Sequence, residues 1–245
     1  MLSASPRSAL IAAMVFGIAD EAQAQSLAGV PGAEINHGER TLDYRAGDSL
    51  PDDGRDFRFG HRLHYQHAIN GDWRVRLLVQ QVENGSGGLA TQFVSLQSQH
   101  QLIDPKRSGG WASAARVDGF IPVDDIPGRA RLVLLNSFDF ASGVQIRGDM
   151  FFAREFGDSR AAGIDFETRA EISAPATART RVGAQLYNRW NSTADFGAFD
   201  DQRHQAALFV RSRLTKQLGL EAGWLFGLSE AAADADFRVI LTWAL

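Results

Sequence analysis

The stretch that decides the fold reads Ile164-Asp165-Phe166-Glu167-Thr168-Arg169-Ala170-Glu171-Ile172. Charged side chains occupy every second position, and the positions between them carry apolar residues and one threonine. Successive side chains of a β-strand point to opposite faces, so a period of two predicts a strand with one apolar and one charged face. The apolar positions of a helix recur every three or four residues, which does not fit this order.

The same alternation recurs along most of the chain, whose 245 residues suit one all-β domain. Twelve strands are predicted, at 38–45, 55–69, 72–82, 90–102, 110–121, 129–138, 143–155, 161–172, 178–190, 203–214, 218–228 and 235–245. Most are long, whereas strands of soluble proteins usually have about 5–6 residues. At ~3.3 Å per residue and a tilt of about 40°, an eleven-residue strand rises roughly 28 Å, close to the ~25 Å apolar band of a membrane barrel. We therefore predict a single antiparallel, up-and-down transmembrane β-barrel.

The connections agree with this division into strands. Proline cannot donate to a strand ladder, and the six prolines after residue 30 all lie outside the predicted strands or at their ends. Asn70-Gly71 is a two-residue hairpin signal between the second and third strands. With both termini on the periplasmic side, most outer connections are longer than the periplasmic ones, as in outer-membrane barrels.

The N-terminus has the features of an export signal. Arg7 precedes an apolar run at 9–19, and Ala22-Gln23-Ala24 is a small-x-small cleavage pattern. Residues 1–24 are predicted to be a secretory signal peptide cleaved after about Ala24. Residues 25–37 then form a short N-terminal segment, and residues 38–245 form the barrel. The apolar run is too short for a spanning helix, which needs about 20 residues.

The C-terminus, Phe237-Arg238-Val239-Ile240-Leu241-Thr242-Trp243-Ala244-Leu245, resembles the terminal β-signal of Gram-negative outer-membrane β-barrels of the porin type. In that family the last strand alternates apolar residues and ends on a hydrophobic, usually aromatic, residue. Here Phe237, Val239, Leu241, Trp243 and Leu245 supply the pattern, with leucine in the last place. The resemblance implies recognition by the barrel assembly machinery and insertion into the outer membrane, among lipid and lipopolysaccharide.

The charged faces are expected to line the interior, because in a membrane barrel the apolar faces meet lipid. A soluble periplasmic β-sandwich is the alternative, with its charged faces in solvent. In the barrel the predicted lumen-lining residues are Arg58, Arg62, Arg74, Arg76, Arg116, Arg147, Asp149, Asp165, Glu167, Arg169, Arg181, Arg211, Arg213, Glu221 and Arg238. Acids on one strand face arginines on its neighbours, so cross-strand ion pairs are expected.

These residues favour a narrow, arginine-lined channel for small anionic solutes, because rings of arginine favour anions. The alternative is a barrel that its own ion pairs plug, with a structural or assembly role. The formal net charge of −4 gives no indication of a nucleic-acid partner. The oligomeric state is left open.

An enzyme is not expected. A lipid hydrolase needs a nucleophile and a base within hydrogen-bond reach, and the pair with the right residue types is Ser98 with His100 on one face of the fourth strand. His61, His64 and His67 lie close in sequence, but His64 points to the other face, which disfavours a three-histidine metal site. The chain has no cysteine. We expect no catalytic residues, no metal site and no cofactor.

Overall fold

A computed structural model describes residues 26–50, 57–83, 88–123, 126–158 and 160–245. It contains twelve strands and one short 3-10 helix, Phe199–Asp201. The strands are β1 Arg40–Ser49, β2 Arg58–Ala68, β3 Trp73–Glu83, β4 Leu89–Ile103, β5 Trp111–Pro122, β6 Gly128–Asp139, β7 Gln145–Phe156, β8 Asp165–Pro175, β9 Thr180–Ser192, β10 Arg203–Arg213, β11 Leu218–Gly227 and β12 Ala235–Ala244. No helix in the described ranges is long and apolar enough to cross a membrane.

The strands form one closed antiparallel barrel in which each strand pairs with its neighbours in sequence, and β12 pairs with β1. The closing register places Thr41 opposite Ala244 and Ser49 opposite Asp236. The prediction of a twelve-stranded up-and-down barrel is confirmed, and the sandwich alternative is wrong. Two strands differ most from the prediction: β8 was predicted at 161–172 and spans Asp165–Pro175, and β1 was predicted at 38–45 and continues to Ser49. The sequence pattern of residues 46–49 alternates weakly and contains a glycine, so it does not by itself predict a strand. Hydrogen bonding to β2 and β12 extends β1 through these residues.

The exterior of the barrel is apolar. Leu96, Ile121 and Leu208 leave 63%, 67% and 61% of their surface exposed, respectively, and each lies on the outward side of its strand. In a soluble protein a continuous apolar surface of this kind marks an interaction site. Here it encircles the barrel, as the lipid-facing surface of a membrane barrel does.

Aromatic side chains concentrate at the two ends of the barrel. Trp73, Trp111 and Trp243 lie at the end with the short turns and remain 44% or more exposed. At the other end Phe152 stacks on Phe166 with ring centroids 5.2 Å apart, and Trp224 contacts Phe237. Two such belts are typical of the interfaces between membrane and water.

The connections differ between the ends, as predicted. We call the end with the connections 69–72, 104–110, 140–144, 176–179 and 214–217 the short-turn end, and the opposite end the long-loop end. The predicted two-residue hairpin occupies four residues, because Asn70 Oδ1 accepts hydrogen bonds from the backbone N–H groups of Asp72 and Trp73 at 2.9 and 2.8 Å.

Residues 26–37, which we call the N-terminal segment, lie inside the barrel. The backbone turns between Asn36 and Glu39, where the N–H of Glu39 donates to the carbonyl oxygen of Asn36 at 3.1 Å. From there the segment extends along the lumen to Ser26, which contacts Gly47 near the long-loop end of β1. Leu27, Ala28 and Ala33 have no exposed surface. The buried apolar contacts of this protein therefore lie within the lumen, between the segment and the barrel wall.

Candidate functional site in the barrel lumen

The inner face carries the charged residues that alternation assigned to it. All fifteen predicted lumen residues share the inward side of their strands with the buried positions. Arg116, Asp149 and Arg238 are buried, whereas Arg213 lies exposed at the short-turn end. Four apolar residues of the C-terminal pattern, Phe237, Val239, Leu241 and Trp243, lie on the outward side of β12. Leu245 follows the strand directly, and its N–H donates to the carbonyl oxygen of Arg40 at 3.0 Å, next to the closing seam.

A first ion-pair cluster is centred on Asp118, which has no exposed surface. Arg116, two residues earlier on β5, donates to it from Nε at 2.8 Å and from Nη2 at 3.1 Å. Arg131 on β6 donates from Nε at 2.9 Å and from Nη2 at 2.7 Å. Asp118 stands opposite Arg131 in the register, so strand pairing itself brings the charges together. One carboxylate therefore serves two guanidinium groups.

A second cluster joins side chains on five strands. Glu171 on β8 accepts from Arg211 on β10 at 3.0 Å and lies 3.6 Å from Arg147 on β7. Arg211 also contacts Glu221 on β11 at 2.6 Å, and Glu221 accepts from Arg238 on β12 at 3.1 Å. Three arginines and two glutamates alternate along this chain of contacts, so the glutamates offset most of the positive charge on that part of the wall.

A third cluster lies at the long-loop end. Arg129 Nη2 contacts Glu155 and Asp165, both at 2.9 Å, and Arg189 lies 3.6 Å from Asp165. In mid-barrel, Arg169 donates to Glu167 at 2.5 Å. Charged pairs thus occupy much of the wall from β5 to β12.

The wall formed by β2, β3 and β4 differs, because two of its arginines, Arg62 and Arg76, bind amides, whereas Arg74 lies 3.5 Å from Glu39. Arg62 donates to Gln80 Oε1, at 2.7 Å from Nε. Arg76 donates to Gln66 Oε1 at 2.8 Å and to Gln97 Oε1 at 3.3 Å. Within the described ranges neither guanidinium has a carboxylate partner. These two arginines keep their charge uncompensated, so this side of the lumen is positive.

A cavity of about 480 Å³ opens at the short-turn end, between β8, β9, β10, β11 and β12. Arg179, Arg181, Arg211, Arg213 and Glu221 are among its lining residues. Arg181 donates to neutral oxygens, Ser173 Oγ and the carbonyls of Ser173 and Gly143. Glu221, the one carboxylate among the described lining residues, is bound to Arg211 and Arg238. The cavity therefore carries a net positive charge.

Several inward residues were missing from the sequence-based prediction. They include the amides Gln66, Gln80, Gln97, Gln99 and Gln185, together with Arg45 and Tyr187. Their alternating positions on the strands give the signal that would have found them. The amides and Tyr187 carry no charge to draw attention, and Arg45 is the last residue of the weakly alternating first predicted strand. The N-terminal segment gave no such signal, since it has no regular alternation.

The candidate hydrolase residues lie far from this lumen. Ser98 and His100 share one face of β4, as predicted, and that face is the outward one, which also carries Leu96. The Nε1 of Trp73 donates to Ser98 Oγ at 2.8 Å, so the serine hydroxyl accepts a hydrogen bond that positions a tryptophan of the aromatic belt. His64 points inward, whereas His61 and His67 lie on the outward side. In the described part of the chain, no three histidines or acids come together in a geometry that holds a metal ion.

Solved structures share this fold. The COG4313 outer membrane channel from Pseudomonas putida F1 has a TM-score of 0.68 at 11% sequence identity, over 89% of this chain and 100% of its own. The KdgM porin has a TM-score of 0.61 at 8% identity, over 84% of this chain and 99% of its own. The NanC porin has a TM-score of 0.58 at 9% identity, over 83% and 100%.

At these identities the likeness shows the fold, and the chain has the closed-barrel fold of outer-membrane porins. No protein-family model matches the sequence, and the search of curated proteins finds no match.

Proposed function

We propose that this protein is an integral outer-membrane channel that passes small anionic solutes. The apolar exterior, the two aromatic belts and the shared porin fold support a place in the outer membrane. Lipid and lipopolysaccharide are then its surroundings, and the terminal pattern from Phe237 to Leu245 is its signal to the barrel assembly machinery.

The observation that carries the anionic preference is the composition of the cavity at the short-turn end. Arg179, Arg181 and Arg213 line it, and Glu221, the one carboxylate that the described part of the chain contributes, is engaged by Arg211 and Arg238. Farther along the lumen, Arg62 and Arg76 bind neutral amides. An anion on this path meets guanidinium groups that bind only neutral oxygens, and a cation in the cavity meets Glu221, which two arginines already engage.

A barrel plugged for a structural or assembly role is the second candidate, and one observation favours it. The N-terminal segment fills part of the lumen, and five of its residues bury apolar side chains there. A lumen that stays closed in this way conducts nothing. An enzymatic role receives no support from Ser98 and His100, which face outward beside the aromatic belt.

The test is single-channel recording of the refolded mature chain in a planar bilayer under a salt gradient. We expect an anion-selective current, and we expect its reversal potential to move toward zero when Arg179, Arg181 and Arg213 are all changed to glutamine. Arg107→Gln is the matched control, because Arg107 lies in a turn at the same end with its side chain 89% exposed. A cation-selective current, or a preference that the triple change leaves intact, contradicts the proposed selectivity.

A further inference from the structure

The N-terminal segment is held by a series of lumen side chains that bind successive backbone carbonyl oxygens. Arg238 donates to Ala28 at 2.5 Å, Arg169 to Gly29 at 2.8 Å and Arg147 to Val30 at 3.2 Å. Gln99 and Arg74 continue the series, donating to Ala33 at 3.1 Å and to Glu34 at 2.7 Å. We call these five side chains the donor ladder. A hydrogen bond from a charged donor such as arginine is stronger than one from a neutral donor such as glutamine.

The wall also has apolar patches that match the segment. Ala33 packs against Ala112, Ala114, Val133, Leu135 and Phe151 on β5, β6 and β7. Ala28 and Val30 pack against Tyr187, Ala207 and Leu225 on β9, β10 and β11. Inward apolar residues are out of place on a lumen that only water and ions occupy. Their position under the segment indicates that the barrel is shaped to receive it.

Two glycines of the wall make room for the segment. Gly47 on β1 and Gly60 on β2 stand opposite each other in the register. A Cβ at Gly47 would lie 3.0 Å from the carbonyl oxygen of Ser26, and a Cβ at Gly60 would lie 3.1 Å from Leu27 Cδ1. Both distances are tighter than ordinary contact, so a larger residue at either place would crowd the segment.

The segment is attached to the wall through side chains. Within the described ranges, no backbone–backbone hydrogen bond joins residues 27–35 to a strand. The N–H groups of Ala33 and Ile35 donate instead to Ser137 Oγ at 3.1 Å and to Gln101 Oε1 at 2.9 Å. The segment can therefore leave the lumen without breaking any strand pair of the barrel.

Four members of the donor ladder, Arg74, Arg147, Arg169 and Arg238, belong to the arginines that were predicted to line the pore. The carbonyl oxygens of the segment thus occupy guanidinium groups that an anion in transit would use. We infer that residues 26–36 are a resident ligand of the lumen that closes the channel, and that oxygen-rich anions compete with it for the donor ladder. This inference rests on the proposed channel function.

The experiment uses a disulfide lock in a chain that has no cysteine of its own. Ala33→Cys with Ser137→Cys joins the segment to β6 at a point where the two residues already share a hydrogen bond. The single cysteine variants are the controls. A second variant lacks residues 26–36, and a third, Val30→Asp with Ala33→Asp, places carboxylates in the apolar patches to release the segment. Folding of each barrel is checked by its heat-modifiable migration on gels.

We expect the oxidised double-cysteine chain to be silent and the released variants to conduct several-fold more than the unmodified chain. We also expect inorganic phosphate, added as a competing anion, to increase the open fraction of the reduced chain and to leave the oxidised chain silent. Equal conductance of the oxidised and reduced chains would contradict closure of the channel by the N-terminal segment, but it would not contradict the channel function. Folded, released variants that stay silent would overturn the channel function itself.

Discussion

Arg238 Nη1 donates a hydrogen bond of 2.5 Å to the carbonyl oxygen of Ala28, a residue 210 positions earlier in the chain. The same nitrogen contacts Tyr187 Oη at 2.6 Å, and Nη2 contacts Glu221 at 3.1 Å and Gln185. One buried guanidinium thus joins the N-terminal segment to three strands of the wall. It links the stability of the barrel to the occupancy of its lumen.

Arg238→Gln is expected to lower the free energy of unfolding by about 2 kcal/mol, because Glu221 loses one of its two charged partners and a hydrogen bond to a charged group contributes ~1.5–3 kcal/mol. Urea unfolding in detergent, followed by tryptophan fluorescence, measures this. Lys216→Gln, in an exposed turn, is the matched control. An unfolding midpoint for Arg238→Gln equal to that of the control would show that the contacts of Arg238 contribute nothing.

Asp118→Asn is expected to lower the free energy of unfolding by about 3–5 kcal/mol, the usual cost of removing one partner from a buried ion pair. Arg116 and Arg131 then lose the carboxylate that both contact, so we also expect a larger preference for anions in the reversal potential. Asp104→Asn removes the charge from an exposed pair, with Arg107 at 3.6 Å, and should cost less than about 1 kcal/mol. Equal losses in the two variants would contradict the importance of the buried cluster.

Gly60→Val is expected to raise the conductance without unfolding the barrel, because a Cβ at this position approaches Leu27 Cδ1 to 3.1 Å and displaces the segment. Gly148→Val is the matched control. It also places a β-branched residue on a strand, but a Cβ at Gly148 meets nothing within 4 Å. A folded Gly60→Val barrel with the conductance of the control would show that the segment tolerates the crowding or does not limit the current.

Ser98→Ala is expected to leave the conductance unchanged and to lower stability by about 0.5–1.5 kcal/mol, the usual contribution of one hydrogen bond. The bond lost is the one from Trp73 Nε1 at 2.8 Å. Lipid hydrolysis by the purified protein, measured beside His100→Ala, is the companion assay. Activity that disappears in both variants would favour an enzyme and contradict the structural role given to Ser98.

Alternation along the chain was enough to predict the twelve strands and to assign the charged residues to one face. Ile164 to Ile172 shows why, since a strand places every second side chain on the same face whatever its neighbours are. A period of two does not tell which face meets water, so it fits a soluble sandwich as well as a membrane barrel. The length of the strands and the terminal pattern from Phe237 to Leu245 favoured the barrel.

The partners of the lumen residues depended on register and closure, which are tertiary properties. That Asp118 binds Arg131 as well as its own-strand neighbour Arg116, while Arg62 and Arg76 bind amides, follows from which residues stand opposite one another on paired strands. The sequence by itself thus determined the strands, their faces and the arginine-rich interior. Only the tertiary structure decided which charges are neutralised, and it alone placed residues 26–37 inside the barrel. That placement depends on contacts with strands far away in sequence, and no local period records such contacts.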